Sequence, residues 1–137
     1  MQAKTAGMIL KQRDIGENDR ILTVLSQDMG LIEVCARRSK SPKNPLTAAT
    51  QVLCYSSFEL YKGKASYYIA DSAEIIRPFY DLRLDVVKVA LASYFAELCA
   101  AVSPTVETSD EILRMLLNTM HLLETERYTI GHLRPIF

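Results

Sequence analysis

Four cations fall within seven residues, Arg37, Arg38, Lys40 and Lys43, inside the stretch VCARRSKSPKNPL (34–46), which contains no acid. Phosphate groups are bound by Lys and Arg, and a cationic loop can follow a nucleic-acid backbone without reading its bases. Pro42 and Pro45 keep this loop out of a strand ladder. A smaller group sits at Lys62-Gly63-Lys64, a tight turn with Tyr61 beside it. An exposed aromatic there could stack on a base. Arg13 and Arg20 join the set, each equally suited to a structural ion pair. The plainer alternative is a solvated basic loop, with Tyr61, Tyr67 and Tyr68 packing on a sheet and the two lysines keeping a hairpin soluble.

Other chemistries find less support. Asp14, Glu17 and Asp19 are close enough to suggest a metal triad, but they read more simply as a polar turn, with Asp19 paired to Arg20 or a strand neighbour. His121 and His132 lie eleven apart on different predicted elements, without metal-ligand spacing. No GxSxG, HExxH or Walker loop occurs, and the five glycines never cluster. Cys35, Cys54 and Cys99 are odd in number and widely spaced, which predicts reduced core residues rather than a disulfide framework. No catalysis, metal or cofactor is expected, and the cysteine usage suits a cytoplasmic protein.

The elements that would position the basic residues are strands. Residues 5–13 alternate, with Ala6, Met8 and Leu10 on one face and Thr5, Ile9 and Lys11 on the other. Residues 14–19 (DIGEND) form a polar connection around Gly16. RILTVLS (20–26) suits a strand buried on both faces, and QDMG (27–30) turns it into LIEVCA (31–36), with Gly30 free to take positive φ. After the cationic loop, 51–61 and 65–76 read as a hairpin about the Lys62–Lys64 turn, with Ser56, Phe58 and Leu60 facing inward and Tyr55, Ser57, Glu59 and Tyr61 outward. Five strands over about 75 residues predict a small antiparallel barrel.

Past Pro78 the period changes. Leu84, Val87, Leu91, Tyr94, Leu98 and Val102 recur at three and four, a helical stripe over 82–102 whose N-terminus Asp81 or Asp85 would favour. Thr108-Ser-Asp-Glu111 fits a capping box opening a second helix with the stripe Ile112, Leu113, Leu116, Leu117, Met120 and Leu123. Thr129 would cap a third. The chain stops on Arg134-Pro-Ile-Phe137, an apolar ending that suggests a truncated chain.

The 16 basic and 16 acidic residues cancel overall, but residues 1–70 hold ten Lys/Arg against six Asp/Glu, and residues 71–137 hold six against ten. The halves are thus +4 and −4, and the basic half is the one suited to a polyanion. With 49% apolar residues the chain can bury a core, yet no apolar run reaches the roughly 20 residues that span a bilayer.

In this order the motifs resemble the N-terminal region of the RecO family of bacterial DNA-repair and recombination mediators. The resemblance is carried by Gly16-Glu17-Asn18-Asp19-Arg20, Leu22-Thr23, Gly30, Ala36-Arg37-Arg38, Phe58-Glu59-Leu60, Glu74-Ile75-Ile76-Arg77-Pro78-Phe79 and Ala90-Leu91-Ala92-Ser93-Tyr94, nearly the length of the chain. It implies an α+β chain: a five-stranded antiparallel OB-fold β-barrel over 1–79, then an incomplete α-helical domain over 80–137. It also implies binding of single- and double-stranded DNA and annealing of complementary strands. The implied partners are the acidic C-terminal tail of the single-stranded-DNA-binding protein, RecR and, indirectly, RecA, in the bacterial cytoplasm at the nucleoid. Family members commonly run about 100 residues further, many with a four-cysteine zinc site that this chain lacks. An unfinished helical domain would leave apolar stripes bare.

The expected DNA contacts are therefore Arg37, Arg38, Lys40, Lys43, Lys62 and Lys64, with Tyr61 stacking and Arg13 and Arg20 nearby. One rival is a protein-interaction module whose basic loop grips an acidic peptide. Another is a metal-dependent nuclease on Asp14, Glu17 and Asp19, whose cleavage a chelator would abolish.

Overall fold

The computed structural model describes residues 2–62, 66–102 and 104–125. The strands are β1 (Gln2–Ile15), β2 (Asp19–Ser26), β3 (Leu31–Ala36), β4 (Tyr55–Lys62) and β5 (Tyr68–Arg77). They close into a barrel in the order β1-β2-β3-β5-β4, an OB-fold arrangement. The antiparallel expectation holds at four of the five seams; the fifth, β3 with β5, is parallel and joins Val34 to Tyr68 and Cys35 to Ile69. Pairing direction at that seam depends on the path of the chain between strands, which alternation within a strand does not encode.

β1 is buried on both faces because it serves two cores. Ile9 points into the barrel with Leu22, Val24, Val34, Phe58 and Leu60. Met8 and Leu10 point outward into a second core shared with the helices. A register shift between Ile9 and Lys11 bends the strand between these duties. On β4 the expected inward set, Ser56, Phe58 and Leu60, is buried.

Two parts of the predicted strand map change. Pro45–Ala49 forms a short helix, α1, where only a loop was expected. The Asn44 side chain accepts from the Leu46 amide and Pro45 occupies the first turn, where its missing N–H costs nothing. The predicted strand over 51–61 begins only at Tyr55; Leu53, at φ 71, turns the chain before it.

The helices are α2 (Tyr80–Arg83), α3 (Val86–Ala101) and α4 (Ser109–Thr125). The single predicted helix over 82–102 is thus broken at Leu84-Asp85, and the Asp85 carboxylate caps α3 by accepting from the Val87 and Lys88 amides. The expected stripe of α3 faces outward: Leu84, Val87, Leu91, Tyr94, Leu98 and Val102 are all exposed. Ala92, Ala96 and Cys99 face inward instead. α3 is apolar nearly all round, so packing chose the small residues, which let the helix approach its neighbours closely. α4 buries Leu113, Leu116 and Met120, as its stripe predicts, with Ile112, Leu117 and Leu123 partly covered. The third predicted helix, at Thr129, lies outside the described residues.

Barrel and helices are tied by polar contacts as well. The Arg83 guanidinium donates to the carbonyls of Val52, at 2.6 Å, and Pro78, at 3.2 Å. Each precedes a buried residue in the left-handed region, Leu53 and Phe79. At the β2–β3 turn the Gly30 amide donates to Ser109 Oγ, which donates in turn to the Gln27 carbonyl. Gly30 has φ +76, and a Cβ there would lie 3.1 Å from the Pro104 carbonyl. Gly30→Ala should therefore lower the urea midpoint, at a cost of about 1–2 kcal/mol, with an unchanged denaturant slope.

Candidate nucleic-acid interface

A line of residues crosses the outer surface of the barrel. Ile21 of β2 pairs with Cys35 of β3, Cys35 with Ile69 of β5, and Ile69 with Tyr61 of β4. Direct cross-strand partners share a face, and these four pack together with Tyr67 against them. Tyr61 is therefore half-buried at the end of an apolar row. Lys62 follows it and lies over the Tyr68 ring at 4.8 Å. Lys64 lies outside the described residues.

The basic loop leaves β3 directly after Ala36, one residue past Cys35 in the row. It is a series of tight turns held by short-range bonds. The Ser41 amide donates to the Arg38 carbonyl and the Asn44 amide to the Ser41 carbonyl, each at 3.1 Å. Asn44 Nδ2 donates to the Arg37 carbonyl, and the Thr47 hydroxyl to the Ser41 carbonyl. Ser39 is fully buried beneath the loop. Arg37, Arg38 and Lys43 are exposed and make no ion pair among the described residues.

The remaining predicted cations have partners. Lys40 Nζ lies 3.2 Å from Asp14 Oδ2, and Arg20 Nε lies 3.7 Å from Asp14 Oδ1. Arg20 is also largely covered, with its side chain 21% exposed. Arg13 meets Glu33 at 3.9 Å in an exposed pair. Exposed pairs of this kind contribute little to stability, but a phosphate must compete with the carboxylate for the same cation.

Asp14 and Asp19 thus turn toward the basic loop. Asp19 Oδ1 accepts from the Arg38 amide at 2.8 Å. No group of three or more His, Cys, Asp or Glu side chains suited to a metal ion occurs among the described residues. The contacts of both acids with the loop are not legible in the run DIGEND, because they join residues 19 and 26 apart. Burial pushes the thiols of Cys35, Cys54 and Cys99 up, with Asp19 adding to the effect at Cys35 and Arg37 opposing it. All three therefore stay neutral at physiological pH, so none is an activated nucleophile.

The sequence also matches a family model, "Recombination protein O N terminal", over residues 1–79. The chain belongs to the RecO family. RecO relatives named as DNA repair proteins align with nearly all of it. The protein of Acetivibrio thermocellus is 36% identical over 125 residues, covering 90% of this chain and 49% of that protein. Those of Alkaliphilus metalliredigens and Clostridium kluyveri are 34% and 33% identical over 92% and 98% of this chain. The chain spans about half the length of the curated RecO relatives it matches. No helix among the described residues is long and apolar enough to cross a membrane.

Proposed function

We propose that this chain is the DNA-binding part of a non-enzymatic recombination mediator acting in DNA repair. It binds single- and double-stranded DNA through phosphate, anneals complementary strands and helps RecA replace the single-stranded-DNA-binding protein. RecR and the acidic tail of that protein are its partners, and the bacterial nucleoid is its place of work. The observation that carries this reading is the set Arg37, Arg38 and Lys43, exposed and without ion pairs among the described residues, on an internally bonded loop. That loop leaves β3 next to Cys35, in the row that ends in Tyr61, on the outer face whose β2–β3 side is where OB-folds bind oligonucleotides. Lys40 supplies a fourth contact, Lys62 adds one beside Tyr61, Lys64 is assigned a contact from its place in the sequence alone, and Arg13 and Arg20 are peripheral.

The test is an anisotropy titration with an unstructured single-stranded oligonucleotide at several salt concentrations. About four contacts predict a log–log slope of roughly −3, with slight sequence preference. A slope near zero would remove phosphate from the interface.

The outward apolar row of α3 favours a second reading for the helical half, a docking face for proteins. Binding that survives high salt would belong to that face.

A further inference from the structure

The two carboxylates that flank the β1–β2 turn both touch the basic loop, and they touch it differently. Asp19 accepts a hydrogen bond from the backbone amide of Arg38 at 2.8 Å. Arg38 has φ 58, a conformation that costs an L-residue about 1 kcal/mol or more and persists only where neighbours hold it. Two residues on, the Lys40 amide donates to the Asn18 carbonyl at 3.2 Å. The turn thus grips the loop backbone at Arg38 and at Lys40. Asp14 makes no such backbone contact among the described residues. It meets side chains, Lys40 Nζ at 3.2 Å and Arg20 Nε at 3.7 Å.

We infer that these acids have opposite effects on polyanion binding: Asp19 is a positioning residue that sets the geometry of the Arg37–Arg38 pair, and Asp14 is a competing counter-ion that a phosphate must displace from Lys40. This rests on the DNA-binding reading above. Simple electrostatics predicts something else, since removing either negative charge beside a cationic site should strengthen anion binding. The geometry separates the two. Without the Asp19 acceptor, no side chain among the described residues bonds the strained Arg38 backbone, and the gain from the lost charge is outweighed by a misplaced loop. Without the Asp14 charge, Lys40 is free and the loop backbone is still held.

Three variants of the full chain decide this, with the same single-stranded oligonucleotide and circular dichroism to verify folding. Asp19→Ala should bind about fivefold more weakly, with its slope reduced by about 0.7, the loss of one contact. Asp19→Asn keeps a carbonyl acceptor for the Arg38 amide and should bind at least as well as the unmodified chain. Asp14→Asn should bind more tightly, with its slope steeper by part of the roughly 0.7 of one full contact, since Lys40 already contributes some of it. Hydrogen exchange at the Arg38 amide should quicken in Asp19→Ala and not in Asp14→Asn. Tighter binding by Asp19→Ala, or a change shared equally by Asp19→Ala and Asp19→Asn, overturns the positioning role. Unchanged binding and slope in Asp14→Asn overturns the counter-ion role, and that variant stands even if Asp19→Ala fails to fold. An unmodified chain that binds no oligonucleotide sinks the DNA reading itself and this assignment with it, an outcome distinct from the others.

Discussion

Replacing Arg37, Arg38, Lys40 and Lys43 together by alanine should weaken single-stranded DNA binding on the order of a hundredfold near 0.1 M salt. The size follows from counterion release. Each phosphate contact to a single strand contributes about 0.7 to the log–log salt slope, or roughly fivefold at that salt concentration. Four contacts would exceed a hundredfold, but Lys40 already has the Asp14 carboxylate and contributes less than a free cation. The residual slope should be small, from Lys62 and Lys64. Stability should barely move, because these side chains are solvated or half-solvated and the loop is held by backbone and Asn44 contacts that alanine leaves in place. Alanine at position 38 keeps the same left-handed backbone cost as arginine, so the loop is not reshaped by the change. Binding unaltered by the four substitutions would move DNA to another face of the barrel.

The second large effect concerns the barrel itself. Phe58→Ala should cost about 3–5 kcal/mol, read as a fall in the urea midpoint. Phe58 is 2% exposed and is the largest side chain in the interior, among Ile9, Leu22, Val24, Val34 and Leu60. A closed barrel cannot collapse around the void without breaking a ladder, so little of the cavity cost is recovered. Domains of this size have total stabilities of about 5–15 kcal/mol, so the variant should be marginal at body temperature. Phe58→Leu, which keeps most of the volume, should lose clearly less. Equal losses in the two would mean the ring shape, and not the filled volume, matters.

The parts of this fold that sequence made legible are those where local pattern and tertiary demand agree. β2 and β3 lie where their apolar runs and the Gly30 turn put them, since both faces of those runs are covered, and α4 buries its predicted stripe because it has one apolar face. α1 is not legible although Asn44-Pro45 is a helix-start signal, because a five-residue helix has no apolar period to set it apart from the cations and prolines around it. The face of α3 was unreadable for a different reason. With Ala, Val, Leu and Cys on every side, periodicity picks out the larger residues, while close helix packing selects the smaller ones. At the interface, the basic run and Tyr61 were visible as residue types. Their partners were not. Asp14 and Asp19 reach Lys40 and Arg38 only because the β1–β2 turn folds back over the end of β3, and the row from Ile21 to Tyr61 exists only once the barrel closes.

That closure rests on unequal seams. β1 and β2, β2 and β3, and β4 and β5 are neighbours in sequence, so their ladders can form early and at little entropic cost. The parallel seam joins residues 34 apart and is only two residue pairs long. It is the shortest of the five ladders, since the more distant β1–β4 seam has seven residue pairs, and so it is the one most open to local fraying. Any breathing there would part Cys35 from Ile69 and split the outer row between the basic loop and Tyr61. The same short seam that completes the barrel also sets how long the two halves of the interface stay in line.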